Sequence, residues 1–428
     1  MPVDQLRPHL AEWPRPVVAR TSTGLRTACL ERPGPVVAVR LTAATGARDD
    51  QVPGATHMLE HLLFRTTAGA DARREIERRG GEIGANTTRE QLSIDLVVLP
   101  TDLGPALGAL GRIIRGRPSA TDLAREKVVV GREAAHEPEE RRRIWQLQAE
   151  ALYGVDHPLA RPILGTDASV ASLELDDLRP AARRLTGSTC ALAAVGPVDP
   201  EQLAAFVEPL VEPSPAKVAP AADVPVAPTR RRHEERRSKL LHVAVGWRFG
   251  GVLDARLPAL RLAEVILAHG SGSRLYEQLR TRRRLAYRVS TVLIPYRDAG
   301  HLSAVTASDP NHAPQVERAL VAELERLAAR GPSWIELENA RRQHAGVQAR
   351  AFESSRRLAG YTATQLLWDR LEPLDVEQSR LEALEPADIR AACASLLRDG
   401  RHAVASVGRA PEPTADHAPP SGPRGGRR

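Results

Sequence analysis

The sequence predicts an α+β chain made of two similar halves joined by an extended linker. Three observations lead to this. First, a segment beginning at Leu173, LELDDLRPAARRLTGSTCALAAVGPVDP, returns at Leu384 as LEPADIRAACASLLRDGRHAVASVGRAP. Leu173 matches Leu384, Glu174 matches Glu385, Asp177 matches Asp388, Arg179 matches Arg390, and after one gap Val195-Gly196 matches Val407-Gly408. Each copy reads as a helix with an acidic first turn, a polar turn, and a strand of small and branched residues ending at Gly. Second, VEPSPAKVAPAADVPVAPT, running from Val211 to Thr229, is rich in Pro and Ala and lacks hydrophobic periodicity. It reads as a semi-rigid linker near the middle of the chain. Third, 428 residues with 42% hydrophobic and 26% charged content suit a soluble globular chain with a sizeable core. The halves are therefore expected at 1–210 and 240–410. The linker and a basic run occupy 211–239, and a Pro/Gly-rich tail, expected to be disordered, occupies 411–428.

Composition excludes several classes. No apolar run approaches the roughly 18 to 20 residues that span a bilayer. The N-terminal MPVDQLRPHLAEWPRP carries charges and prolines where a signal peptide needs an apolar core. Cys29, Cys190 and Cys393 lie far apart, in no metal or redox spacing, which argues for a reducing compartment without a disulfide framework. A cytoplasmic protein is expected. The formal charge of +7 resides in two short segments. RRRHEERRSK (Arg230–Lys239) contributes +4 and the tail PPSGPRGGRR contributes +3. The remainder is neutral, so the charge reads as a solvated face rather than a nucleic-acid grip.

In chain order, the first element with chemistry is PGATHMLEHLLFR, Pro53–Arg65. On a helix, His57, Glu60 and His61 share one face. Two neutral imidazoles suit Zn²⁺, but a catalytic site wants a third protein ligand and an open position. Met58, Leu59, Leu62, Leu63 and Phe64 also give the segment an apolar face. An amphipathic helix with satisfied histidines therefore stays open at this point. GGEIGANTTREQLSIDLVVLP follows. Next, AREKVVVGREAAHEPEE places Glu126 and Glu133 seven apart, two helical turns on one face. In the second half, GSGSRLYEQLRTRRRLAYRV spans Gly270–Val289. Its GSGSR reads as a turn with a Ser helix cap rather than a phosphate loop. Alone, Arg280 reads as a surface arginine and Tyr287 as a core tyrosine.

Taken together, these motifs resemble the insulinase/pitrilysin family of inverzincin (HxxEH) zinc metallopeptidases, and within it the short bacterial members related to mitochondrial processing peptidase. The resemblance runs from about Val17 to Gly408. It implies, in each half, a mostly antiparallel sheet packed with helices. Through it, His57, His61 and Glu133 are the Zn²⁺ ligands, Glu133 lying 72 residues after His61. Glu126 supports the site from outside the ligand set. Glu60 is the general base. Arg280 and Tyr287 fall on an arginine and a tyrosine that reach across a closed chamber to bind substrate and stabilise the tetrahedral intermediate. Ala85, Asn86 and Thr87 lie in the stretch that forms an edge strand, to which substrate adds as a further strand. Ala85, Thr87 and Glu90 match the family pattern, but Gly84 stands where the family usually has Asn.

The implied function is zinc-dependent endopeptidase action on unstructured peptides, presequences or leader peptides held in a chamber. The implied assembly is a homodimer, since one chain carries both the zinc motif and the Arg/Tyr pair, or a heterodimer with a related subunit. Two alternatives share the fold. One is a maturation protease that removes the leader of a peptide natural product. The other is a non-catalytic scaffold subunit, against which the intact motif set argues. Neither nucleic acid nor membrane is an expected partner.

Overall fold

The structure is a computed structural model and describes residues 13–136, 139–187, 189–212, 231–398 and 402–410. Its first half contains β1 (Val17–Arg20), β2 (Arg26–Glu31), β3 (Val37–Ala43), α1 (Ala55–Leu63), α2 (Thr67–Arg78), β4 (Glu82–Thr87), β5 (Leu92–Val98), α3 (Leu103–Ile114), α4 (Ala120–His136), α5 (Glu139–Tyr153), α6 (Leu175–Leu185) and β6 (Cys190–Gly196). The second half contains β7 (Arg231–Glu235), β8 (Leu241–Phe249), α7 (Leu257–Ala268), β9 (Ala286–Pro295), β10 (Gly300–Ser308), α8 (Ala313–Arg330), α9 (Trp334–Phe352), α10 (Ser355–Leu367), α11 (Pro386–Leu397) and β11 (Ala403–Gly408).

The strands form two sheets. One has the order β1-β2-β6-β3-β5-β4 and the other β7-β11-β8-β10-β9. In the first, β2 runs parallel to β6, and β6, β3, β5 and β4 then alternate antiparallel. In the second, β7 runs parallel to β11, and β11, β8, β10 and β9 alternate in the same way. Apart from β1 the two sheets have one topology, as the repeat predicts. The repeated segments supply α6–β6 and α11–β11. Both helices start the same way: Asp177 accepts from the Glu174 N–H at 2.8 Å, and Asp388 accepts from the Glu385 N–H at 2.7 Å. Both strands end at a glycine with positive φ, Gly196 (152°) and Gly408 (135°).

The structure corrects one boundary. The expected linker extends to residue 239, but Arg231–Glu235 of its basic run is strand β7. Two of its charged side chains are paired: Arg231 with Glu317, and Glu234 with Arg143 and Arg236. Parallel pairing along β11 satisfies the backbone, which overrides the polar composition. Residues 213–230 and the tail 411–428 lie outside the described residues.

The halves also exchange helices. Ile144 and Leu147 of α5 pack against Ala244, Ala405 and Val407 of the second sheet. Leu358, Ala359 and Ala363 of α10 pack against Ala28, Leu30, Ala38 and Ala193 of the first. Each half thus covers apolar sheet surface belonging to the other, and burial of that surface joins the halves. Cys29, Cys190 and Cys393 are free and buried. No helix among the described residues is long and apolar enough to cross a membrane.

Candidate metal centre

Helix α1 packs between the first sheet and helices α4 and α6. Leu59 and Leu63 enter the sheet-side core, while Ala55, Met58 and Leu62 meet Leu123, Val130 and Leu178. The apolar residues foreseen for an amphipathic helix are therefore in the core, and the histidines occupy the stripe left between. Buried Asp50 holds the N-terminus of the helix, accepting from the Thr56 N–H at 3.1 Å. Burial raises the Asp50 carboxyl to about 6, against the pull of that hydrogen bond.

Helix α4 brings Glu133 to both imidazoles. Glu133 Oε2 lies 3.1 Å from His61 Nε2 and 3.7 Å from His57 Nε2. Tetrahedral Zn²⁺ with bonds of about 2.0–2.2 Å places its ligand atoms about 3.3 Å apart, so this donor set fits that ion. Among the described residues these three form the one His/Cys/Asp/Glu group whose ligand atoms all lie within 4.8 Å of one another. Burial, with the neighbouring His61, lowers His57 to about 4, leaving the imidazole neutral at pH 7. Its buried Nδ1 has no protein partner.

Two turns earlier on α4, Glu126 Oε2 lies 3.2 Å from His61 Nδ1. A carboxylate there accepts the Nδ1 proton and leaves the Nε2 lone pair facing Glu133. The other Glu126 oxygen takes Arg65 Nε at 3.0 Å. Arg65 was not singled out from the sequence, although its place four residues after His61 is a signal that points to it.

Glu60 turns to β4. Thr87 Oγ1 donates to Glu60 Oε2 at 2.5 Å. Burial raises the Glu60 carboxyl above the ordinary range, and Thr87 and His61 oppose the shift. Strand β4 is an edge of its sheet. Ala85 points with Ile83 into the core beneath α1, and Thr87 is buried on the same face. Gly84 and Asn86 share the opposite face. Asn86 is exposed, two residues along from the glycine whose place it does not fill.

The turn after β4 is clamped from both halves. Buried Arg48 pairs with Glu90 and, at 2.7 Å and 2.8 Å, with both oxygens of Asp298. The Arg297 N–H donates to Glu90 Oε2 at 2.9 Å. A Cβ at Gly46 would sit 2.5 Å from the Glu90 nitrogen, so the close approach of these loops requires glycine there.

The second-half pair lies elsewhere. Arg280 is in a short π-helix, Glu277–Arg282, with its guanidinium carbon 4.6 Å from the Tyr287 ring centre and 5.0 Å from that of Tyr276. Tyr287, on edge strand β9, is 76% exposed rather than a core tyrosine. Among the described residues neither side chain makes a hydrogen bond or ion pair with His57, Glu60, His61 or Glu133. The GSGSR turn is present, but the Ser273 hydroxyl donates back to the Gly270 carbonyl at 2.8 Å instead of capping the helix.

Comparison with known proteins identifies the family. Residues 26–167 match the family model described as insulinase (peptidase family M16), and residues 172–344 match that described as peptidase M16 inactive domain. A Mycobacterium tuberculosis chain named as an uncharacterized zinc protease is 30% identical over 391 residues, covering 86% of this chain and 87% of its own length. A Streptomyces coelicolor chain of the same description is 29% identical over 85% of this chain and 83% of its own. Mitochondrial-processing peptidase subunit beta of Dictyostelium discoideum is 24% identical over 94% and 90%. In fold, the chain is similar to a crystal structure of a protease from Helicobacter pylori, with a TM-score of 0.83 at 19% identity over 92% of this chain and 99% of that one. The chain belongs to the insulinase family, peptidase family M16.

Proposed function

We propose that this chain is a zinc-dependent endopeptidase acting on extended, unstructured peptides that add as a strand to the free edge of β4. The observation that carries the reading is the convergence of His57, His61 and Glu133 beside a Glu60 carboxyl held by Thr87 at that edge. His57, His61 and Glu133 would hold the ion. When bound, zinc supplies Lewis-acid polarisation of a carbonyl and lowers the pKa of water toward about 7. Glu60 takes the proton of the attacking water and returns it to the leaving amine. Its raised pKa suits a group that must both accept and release that proton. Glu126 holds His61 in the tautomer whose Nε2 is free. Arg280 and Tyr287 offer donors to the substrate backbone when the second-half face meets the zinc half across a closed chamber, in a homodimer or with a related subunit. A chamber selects by size and flexibility, which favours presequences, leaders and other unfolded segments.

The test is cleavage of a library of unstructured peptides by the purified chain, with and without a zinc chelator. Chelator-sensitive cleavage is the expected result. A zinc-replete chain that cleaves nothing, alone or with a related subunit, overturns the proposal.

A further inference from the structure

We infer that Arg356 forms a carboxylate-selective subsite beside Gly84, so that the preferred substrate carries an acidic side chain, or its own terminal carboxylate, about three residues from the point opposite Thr87. The inference rests on the proposed addition of substrate to β4.

Gly84 and Thr87 are three residues apart on this strand, roughly 10 Å at the usual rise. The face that Gly84 shares with Asn86 and Glu82 is turned away from α1, toward α10, which the second half lays on this sheet. A side chain at position 84 would fill the space between the strand edge and α10. Glycine leaves it open, and the single heavy atom within 4 Å of a Cβ built there is Arg356 Nη2, at 3.7 Å.

The cations of this face are not equally satisfied. Asp95, paired with Gly84 across the ladder, is taken in bidentate fashion by Arg40 at 2.6 Å and 2.5 Å. Arg356 reaches the same Asp95 only at 3.6 Å, and Glu82 only at 3.5 Å. Both distances lie beyond a good charge-assisted hydrogen bond. Glu82 is itself 74% exposed, so water competes for that pair. The Arg356 side chain, 43% exposed, therefore holds donors available at the rim of an edge strand. A strand added at about 4.8 Å puts the side chain opposite Gly84 into the vacant volume, within reach of that guanidinium. A planar fork of N–H donors there takes a carboxylate in preference to an amide or a cation.

The experiment uses one cleaved peptide with Glu, Gln or Lys scanned through the four positions on each side of its scissile bond. Each form is made with a free or an amidated C-terminus. Wild type, Arg356→Ala and Arg356→Glu are compared by kcat/KM. The zinc-loaded Glu60→Gln protein reports peptide Kd independently of turnover. At one position, wild type is expected to prefer Glu over Gln about tenfold, the size of one charge-assisted hydrogen bond. The preference disappears in Arg356→Ala and passes to Lys in Arg356→Glu. Gln peptides stay within about twofold in all three, since no other contact of the strand changes. If Glu, Gln and Lys peptides are cleaved alike but amidation lowers kcat/KM about tenfold in wild type and not in Arg356→Ala, the carboxylate is the chain end. A wild type that cleaves and binds without regard to charge, or a preference that survives in Arg356→Ala, overturns the subsite and leaves the peptidase reading intact. A chain that neither cleaves nor binds any of these peptides overturns both.

Discussion

The Thr87 hydroxyl donates to Glu60 at 2.5 Å, joining the last residue of the edge strand to the HxxEH carboxylate. The donor sits in a buried setting, where a hydrogen bond to a charged group is worth about 1.5–3 kcal/mol. Its loss frees Glu60 to rotate without touching the ligand atoms. Thr87→Ala is expected to lower kcat about 10- to 100-fold with KM and zinc content near wild type. Thr87→Ser, which keeps the donor, should recover most of the rate. A Thr87→Ala enzyme with wild-type kcat would show that the hydroxyl does not position the base.

In the proposed mechanism, Glu60 is separable from metal binding. Glu60→Gln keeps volume and polarity but removes the proton acceptor. Turnover is expected to fall by about 10²- to 10⁴-fold or more while bound zinc, measured by atomic absorption, stays near one per chain. Loss of the metal in this variant would put Glu60 among the ligands instead.

In the proposed site, Glu126 would act on the metal through His61. Glu126→Gln keeps its shape but weakens the contact to Nδ1. Zinc affinity, measured by competition with a chromogenic chelator, should fall about 10- to 100-fold. Arg65→Ala should produce a smaller loss, because Arg65 is largely exposed and touches only the far oxygen of Glu126. Equal losses in the two variants would contradict this ordering.

The residues legible in the sequence are those whose geometry is local. Spacing of three and four on α1 brings His57, Glu60 and His61 to one face, and spacing of seven on α4 does the same for Glu126 and Glu133. The duplicated α6–β6 and α11–β11 segments predict two sheets of one topology for the same reason. Contacts set by tertiary packing are less accessible. That Thr87 meets Glu60 depends on how β4 lies under α1. That α5 and α10 cover each other's sheets depends on both cores at once. Strand β7 escapes because an arginine-rich edge has no hydrophobic alternation to reveal it, and its partner β11 lies more than 160 residues away. Tyr287 has an aromatic's prior for burial yet stands in solvent beneath Arg280.

The Arg48–Glu90–Asp298 cluster predicts a second kind of coupling. Asp298 and Glu90 push the buried Arg48 guanidinium well above its ordinary pKa, against the cost of burial. Glu90→Ala strips one anion from Arg48 and removes the acceptor of the Arg297 N–H. Breaking such a buried pair from one side costs about 3–5 kcal/mol, readable as a lower urea midpoint. Replacing Arg48, Glu90 and Asp298 together by apolar residues of similar size should cost less than Glu90→Ala alone. A Glu90→Ala protein with an unchanged midpoint would rule out a stabilising role for the cluster.

Glu264, on α7, predicts the pH dependence of stability. Burial raises its carboxyl to about 7, although Arg261 and the Leu293 N–H pull the other way. Its backbone carbonyl accepts from Thr291 Oγ1 at 3.0 Å, which ties this turn of the helix to β9. An unfolded Glu titrates near 4.5. Between that value and about 7 the folded state binds more protons than the unfolded one, so stability falls as pH rises through this window. Below it both states are protonated and the penalty is absent. Above it the penalty is constant, on the order of 3 kcal/mol. Glu264→Gln removes the titration while keeping the polar group. Urea unfolding at pH 5 and pH 8 should therefore show the variant gaining on wild type at the higher pH by roughly that amount. A stability difference between the two proteins that does not change with pH would mean that Glu264 is solvated in the folded chain.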